Sequence, residues 1–226
     1  MGPVLFDEQV APFYESWFDT PAGQRADRLE KAALGRVLAA LGPPGSALEV
    51  GCGSGHFARW LAGQGWRVVG LDYSAPMLAQ ARTHDALPLV QGDALALPYP
   101  EQAVDVVAMV TVLEFLPDPR AALAEAWRAA RRGLLLGVLN RCSPTAWARR
   151  VEGLWRPNLY NSARFYSPRA LERLVRQTAG QPVDIVWTTT LWPRALPLEG
   201  SPLPGGAFIA LSARLKTAPV HVVRPF

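Results

Sequence analysis

The chain has 226 residues, a net charge of +4, half of its residues hydrophobic and 19% charged. That is ordinary globular composition, and the length suits one domain with a sizeable core. No apolar run is long enough to span a bilayer, and the two cysteines, Cys52 and Cys142, fit neither a disulfide framework nor a zinc spacing.

The positive charge sits almost wholly on arginine, with Lys31 and Lys216 the only lysines. It can draw in an anionic small molecule. No basic block of the kind that binds nucleic acid appears, so no nucleic-acid partner is expected. Three scattered histidines give no metal spacing. The first residues, Met1 to Glu8, lack a basic segment and turn acidic, and position 6 is Phe6, not the Ser or Thr of a myristoylation signal. The expectation is a cytoplasmic protein with no targeting segment.

Residues 8–20 mix aromatics and acids. Tyr14, Trp17 and Phe18 fall at i, i+3, i+4, one face of a short helix that either packs on the main body or covers a ligand. Thr20-Pro21 starts a new helix, apolar at Leu29, Ala33, Val37, Leu38 and Leu41, which stops at Gly42-Pro43-Pro44-Gly45. Ala47–Val50 reads as a short strand. A helix with Phe57, Trp60 and Leu61 on its apolar face follows, ending near Gly63–Gly65. Arg67–Asp72 is a nearly continuous apolar run, as a parallel strand covered on both faces requires. Ser74-Ala75-Pro76 caps a helix containing Met77, Leu78 and Ala81. Strands are expected at Leu87–Gln91, Ala103–Val112 and Leu134–Leu139, with a helix over about Arg120–Arg132 between the last two.

The alternation breaks after Asn140. Residues 141–166 hold Trp147, Trp155, Tyr160, Phe165 and Tyr166 with Arg149, Arg150, Arg156 and Arg164. Ser167-Pro168 opens a helix to about Thr178. Val183–Leu191 and Ala207–Ala213 then read as strands with only a Pro- and Gly-rich gap between them, hence an antiparallel pair. Strict strand–helix alternation means a parallel, doubly wound sheet. The fold expected is therefore α/β and Rossmann-like: a seven-stranded sheet, mostly parallel, with one antiparallel strand near the C-terminus. No repeat or linker divides it, so 1–226 is one domain, with 1–45 a helical lid and 141–166 a cap over the site.

The chemistry concentrates at Glu49-Val50-Gly51-Cys52-Gly53-Ser54-Gly55-His56. Glycines at alternate positions let the backbone turn sharply and let a ligand approach bare peptide, and the following helix offers free N–H groups. Dinucleotide sites need G-x-G-x-x-G, and here the third glycine is replaced by His56. A P-loop needs Gly-Lys-Ser/Thr, which is missing.

At this point the chain resembles the class I S-adenosylmethionine-dependent methyltransferases, in their small-molecule, ubiquinone/menaquinone-methyltransferase-like branch. Glu-Val-Gly-Cys-Gly-Ser-Gly looks like that family's first motif. Asp72 looks like its acid after the second strand, and Gly92-Asp93-Ala94 like its adenine-side motif. Asp105-Val106-Val107 and Leu113-Glu114-Phe115-Leu116-Pro117-Asp118 look like its fourth strand and the turn beyond. The resemblance covers nearly all of residues 10–215.

It implies S-adenosyl-L-methionine as cofactor, S-adenosyl-L-homocysteine as product, and a small-molecule acceptor. Asp72 would take both ribose hydroxyls as a charge-assisted acceptor. Asp93 would take the adenine amine, with Tyr73, Met77 and Ala94 around the ring. Glu49 and the carbonyls of Val110 and Thr111 would hold the methionine ammonium. Gly51, Cys52, Gly53 and Gly55 would form the cradle, and Tyr14 would close on it. Cys52 is a compact filler and not a nucleophile, since no base accompanies it. The sulfonium already activates the methyl group, so alignment supplies much of the rate. A base is needed only for a protonated acceptor, with Glu114 first, then Tyr14, His56 and Tyr160 as candidates. The aromatics of 141–166 favour a flat or apolar acceptor and its arginines an anionic one. Two alternatives stand beside this reading: a methyltransferase-like binding module without turnover, and an NAD(P)-dependent oxidoreductase.

Overall fold

A computed structural model of the chain describes residues 8, 11–84, 87–144, 163–193, 196 and 198–216. Two short helical turns, α1 (Ala11–Tyr14) and α2 (Ser16–Asp19), precede α3 (Pro21–Leu38) and a 3-10 turn over Ala39–Leu41. The expected single aromatic helix is thus broken at Glu15. Thr20 caps α3, its Oγ1 accepting the Gly23 N–H at 3.0 Å, with Pro21 at the first helical position.

Then come β1 (Ser46–Val50), α4 (His56–Gly63), β2 (Arg67–Asp72), α5 (Ala75–Ala81), β3 (Leu89–Gln91), β4 (Val104–Val110), α6 (Pro119–Ala129) and β5 (Ala130–Leu139). The chain closes with α7 (Pro168–Thr178), β6 (Val183–Thr190) and β7 (Phe208–Leu215). The sheet order is β3-β2-β1-β4-β5-β7-β6. The pairs among β1 to β5 are parallel, and β7 runs antiparallel to both β5 and β6. This is the expected seven-stranded, mostly parallel sheet with one reversed strand.

Every residue of β4 is buried, as a central strand covered on both faces must be. Val106, Ala108 and Val110 face the layer of α3 and α4, with Leu34, Leu61 and Phe208. Val107 and Met109 face the layer of α6 and α7, with Leu123, Leu171 and Val175.

Several boundaries differ from expectation, β4 among them, which spans Val104–Val110 rather than Ala103–Val112. β3 begins at Leu89 rather than Leu87. The helix before β5 ends at Ala129, so Arg131 and Arg132 are strand residues. Each places its Nε 3.3 Å from Asp105 Oδ1. Asp105 Oδ2 also accepts the Ser46 N–H at 2.8 Å. This knot joins the amino ends of β1, β4 and β5, opposite to the glycine turn. Among the described residues no helix is long and apolar enough to cross a membrane, and no cluster of acidic, Cys and His side chains could hold a metal.

Candidate active site

The site is built at the carboxyl ends of β1, β2 and β4, where a doubly wound sheet leaves a crevice. As β1 ends, Gly51, Gly53 and Gly55 adopt φ of 71°, 54° and 82°. Only glycine takes three such values in five residues without strain. The turn is pinned to β2: the N–H groups of Gly51 and Cys52 both donate to the Leu71 carbonyl, at 2.7 and 3.0 Å. A side chain on Gly51 would run into Val112, and one on Gly53 would stand 3.1 Å from Met77 Cε.

Asp72 closes the other wall. Its Oδ2 accepts the Gly53 N–H at 2.7 Å and its Oδ1 the Ser74 N–H at 2.8 Å. Burial raises its pKa, against the bonds from Ser74, Gly53 and Tyr73. Two carboxylate oxygens offer about four lone-pair sites, so these backbone bonds leave capacity for a ligand hydroxyl. Ser74 caps α5 by accepting the Met77 N–H at 3.3 Å, which sets Met77 beneath the turn. Tyr73 is half exposed and Ala94 is buried. Asp93 is exposed, and one of its oxygens closes its own turn on the Leu95 N–H at 2.8 Å.

Glu49 sits two residues before the cradle, in register with Gly70 on β2 and Ala108 on β4. It is 2% exposed, and its Oε2 has no hydrogen-bond partner. Burial pushes its pKa well up, the negative Asp72 adds to that, and Arg59 opposes it. A buried acid with an open oxygen suits a cationic donor. These residues therefore fit S-adenosylmethionine: an open carboxyl oxygen for the ammonium, a side-chain-free cradle, and a carboxylate for the ribose. The Cys52 thiol is buried and its pKa is raised by burial, then by Glu49 and Asp72, which keeps it protonated and inert.

Thr111, directly after β4, has φ 53° and donates its N–H to the Gly137 carbonyl at 2.8 Å. A β-branched residue there is strained, and such strain clusters at ligand sites.

Two of the expected acid–base residues, His56 and Tyr14, share Phe18 as a neighbour. His56 opens α4 with its ring stacked on Phe18, 3.8 Å between centroids, and its Nε2 lies 2.6 Å from Asp27 Oδ1. Burial lowers its pKa despite Asp27. Tyr14 meets Phe18 edge-on at 6.1 Å. Glu15, between them in sequence, reaches Arg59 at 2.6 Å and His84 at 2.9 Å, which fastens the two N-terminal turns to α4 and the end of α5.

Glu114 is not a surface turn acid. It is 1% exposed, and its Oε1 accepts the Leu139 N–H at 2.6 Å, locking the turn after β4 to the end of β5. Its Oε2 has no partner, and burial lifts its ionisation to about 8. Tyr160 and most of the expected cap lie outside the described residues. Sequence reasoning missed Asp27 and the bonds of Asn140, and placed Tyr166 only among the cap aromatics. Asn140 Nδ2 donates to the carbonyls of Pro204 and Gly206 at 2.6 and 2.7 Å, and Tyr166 hydroxyl to that of Leu113 at 3.3 Å.

Residues 48–136 match the family model described as a methyltransferase domain. The chain is 36% identical over 137 residues to a malonyl-[acyl-carrier protein] O-methyltransferase of Pectobacterium atrosepticum, covering 56% of this chain and 53% of the other. It is 32% identical over 138 residues to a demethylmenaquinone methyltransferase of Roseiflexus castenholzii, covering 57% of each. The chain thus spans little more than half the length of the curated relatives it matches. A solved SAM-dependent methyltransferase from Thermotoga maritima, described as a possible histamine N-methyltransferase, superposes with a TM-score of 0.73 at 27% identity, covering 94% of this chain and 99% of that one. The glycine turn, the Asp72 carboxylate, the open Glu49 oxygen and the strand order agree with these likenesses, and residues 48–136 are a methyltransferase domain similar to that of S-adenosylmethionine-dependent enzymes.

Proposed function

We propose that the protein transfers a methyl group from S-adenosylmethionine to a small acceptor with a flat or apolar body, by in-line displacement. The observation that carries this is Glu49, whose buried open oxygen stands beside a side-chain-free turn and Asp72. The cofactor supplies an already activated methyl on a cationic sulfur. The chain's own part is to hold that group and the acceptor in line and keep water out. Glu49 with the turn after β4 would fix the amino-acid end, and Asp72 the ribose.

An acceptor bearing O–H or N–H loses its proton as it gains the methyl. Glu114 is the proposed recipient, because it has an unpartnered oxygen and ionises near neutrality. His56 is occupied by Asp27 and Phe18, and it shapes the cofactor side of the cleft instead. The aromatic residues of 141–166 support the flat or apolar body. The malonyl and demethylmenaquinone acceptors belong to the relatives; what supports a small acceptor here is the likeness over the shared domain.

Calorimetry with S-adenosylhomocysteine tests the reading, with micromolar binding expected. Asp72→Ala should weaken it at least about tenfold, the loss of one hydrogen bond to a charged group. Absence of binding to the wild-type chain would sink the proposal, and binding of NADH in its place would favour the oxidoreductase. With an acceptor in hand, turnover should climb with pH about a midpoint near 8 and level off above it, and Glu114→Gln should abolish the climb.

A further inference from the structure

Three stretches of chain meet beside the end of β5. The Arg164 N–H donates to the Glu114 carbonyl at 2.8 Å, the Tyr166 N–H to Leu139 at 3.1 Å, and the Arg141 N–H to Tyr166 at 2.8 Å. Asn140 and Tyr166 form a parallel bridge. Residues 163–166 are therefore laid as a short extended strap between the turn after β4 and the end of β5. On that strap the Tyr166 phenol is buried, and it accepts a hydrogen bond from the Arg164 side chain. This anchors an exposed guanidinium in a fixed place.

Six of the arginines that the fold holds in place are neutralised by carboxylates, while Arg36 is held by the Glu199 carbonyl, Arg120 by the Gln177 amide and Arg164 by a phenol. Arg25, Arg59, Arg128, Arg131, Arg132 and Arg176 each lie within ion-pair distance of a carboxylate. Arg164 has no such partner among the described residues. Glu114 is its neighbour through the backbone, yet the two side chains form no ion pair. Guanidinium carries five N–H donors in a planar fork, and one bond to a phenol leaves most of them open. A carboxylate is the group that fits such a fork by two parallel bonds. The carboxyl of Glu114, with one buried oxygen unpartnered, lies on the same ladder of backbone bonds.

The geometry points to Arg164 as the residue that selects the acceptor: the small molecule methylated here carries a carboxylate, seated on the Arg164 fork that Tyr166 holds. This inference rests on the methyltransferase reading and narrows its substrate class. The anionic end of the acceptor meets Arg164. The group that takes the methyl is a separate hydroxyl or amine on the same acceptor, placed toward Glu114.

The test uses the full chain, labelled S-adenosylmethionine, and a panel of hydroxybenzoates and aminobenzoates. Each member is set against its primary amide, which has the same shape without the charge. The expected result is methyl transfer to carboxylate members with kcat/KM at least tenfold above their amides. In Arg164→Met that preference should collapse to within about twofold, while S-adenosylhomocysteine affinity and Tm stay unchanged. Arg164→Lys, which keeps the charge without the fork, should retain part of it. Equal or better use of the amides overturns the inference. So does failure of every carboxylate in a protein that still binds S-adenosylhomocysteine. If S-adenosylhomocysteine itself does not bind, the methyltransferase reading falls first and takes the inference with it.

Discussion

Thr111 and Glu114, three residues apart, hold the two costs the fold accepts beside the site. Thr111 is a β-branched residue at φ 53°. Holding it there costs about 1–3 kcal/mol. Thr111→Gly removes the strain, and the extra freedom of glycine in the unfolded chain returns roughly 0.5–1 kcal/mol of that gain. The variant should show a higher urea midpoint by about 1 kcal/mol of stability, read by equilibrium denaturation. Glu114 stores its cost in charge. Burial lifts its folded ionisation to about 8, well above that of an unfolded glutamate, near 4.3. The folded state therefore keeps a proton that the unfolded state has lost throughout that window. Stability due to this group is full below about pH 4.3 and declines by about 1.4 kcal/mol per pH unit until the folded carboxyl ionises. Glu114→Gln can still accept the Leu139 N–H and has no charge to bury. The stability difference between variant and wild type should grow from pH 5 to pH 8, in favour of the variant. A flat difference across that range would show that the carboxyl is ionised in the folded protein.

At the scale of elements, what was legible in the sequence was whatever depends on near neighbours. The Thr20 and Ser74 caps, the glycine turn and the strand–helix alternation all depend on residues within one or two turns, and they stand where spacing put them. The readings that shifted depend on partners far along the chain. Arg131 and Arg132 continue the pattern of α6, but Asp105 draws them into β5. His56 looks open at a helix start, and Asp27 with Phe18 occupies it. Glu114 looks like a turn acid until β5 is laid over it. The N-terminal turns show the same dependence on distant partners. Two isolated helical turns cannot persist alone. Here Glu15 ties them down through Arg59 and His84, and Phe18 through its stack on His56. Burial raises the Glu15 carboxyl, but bonds from Arg59 and Ser54 and the charges of Arg59 and His84 outweigh it and leave its pKa lowered. That contribution is present above the ordinary glutamate range and is lost as the pH falls through the folded value. Glu15→Gln should therefore release residues 11–19 with little global cost, since partly exposed pairs contribute at most about 1 kcal/mol. Amide exchange read by mass spectrometry should speed up across 11–19 and stay unchanged in β4 and β5.

At the scale of the whole molecule, the last strand in the chain occupies an interior place in the sheet. β7 separates β5 from β6, so the carboxyl edge that carries Leu139, Asn140 and the Tyr166 strap is complete only once the C-terminal strand is inserted. Both core layers depend on it as well. Phe208 and Ala210 point into the layer of α3 and α4, and Ile209 and Leu211 into that of α6 and α7. A disturbance at the β5–β7 seam should therefore reach both layers and the site together. Gly133 offers the cleanest way to apply one. It pairs with Arg214 across the seam, and a methyl group on it would overlap the Ala213 carbonyl, which is backbone and cannot swing aside. Gly133→Ala must push β7 off β5, and overpacking against main chain belongs at or above the usual range of about 1–3 kcal/mol. Gly63→Ala, at the end of α4 with nothing within 4 Å of the added methyl, is the control and should change stability by about 1 kcal/mol or less. If the sheet is one cooperative unit, Gly133→Ala will lower the urea midpoint seen by tryptophan fluorescence and by far-ultraviolet circular dichroism equally, in a single transition. S-adenosylhomocysteine affinity will hold up to that shared midpoint. Two separated transitions, with cofactor binding surviving the first, would divide the molecule into a β1–β4 unit that carries the cofactor and a β5–β7 unit that carries the acceptor strap.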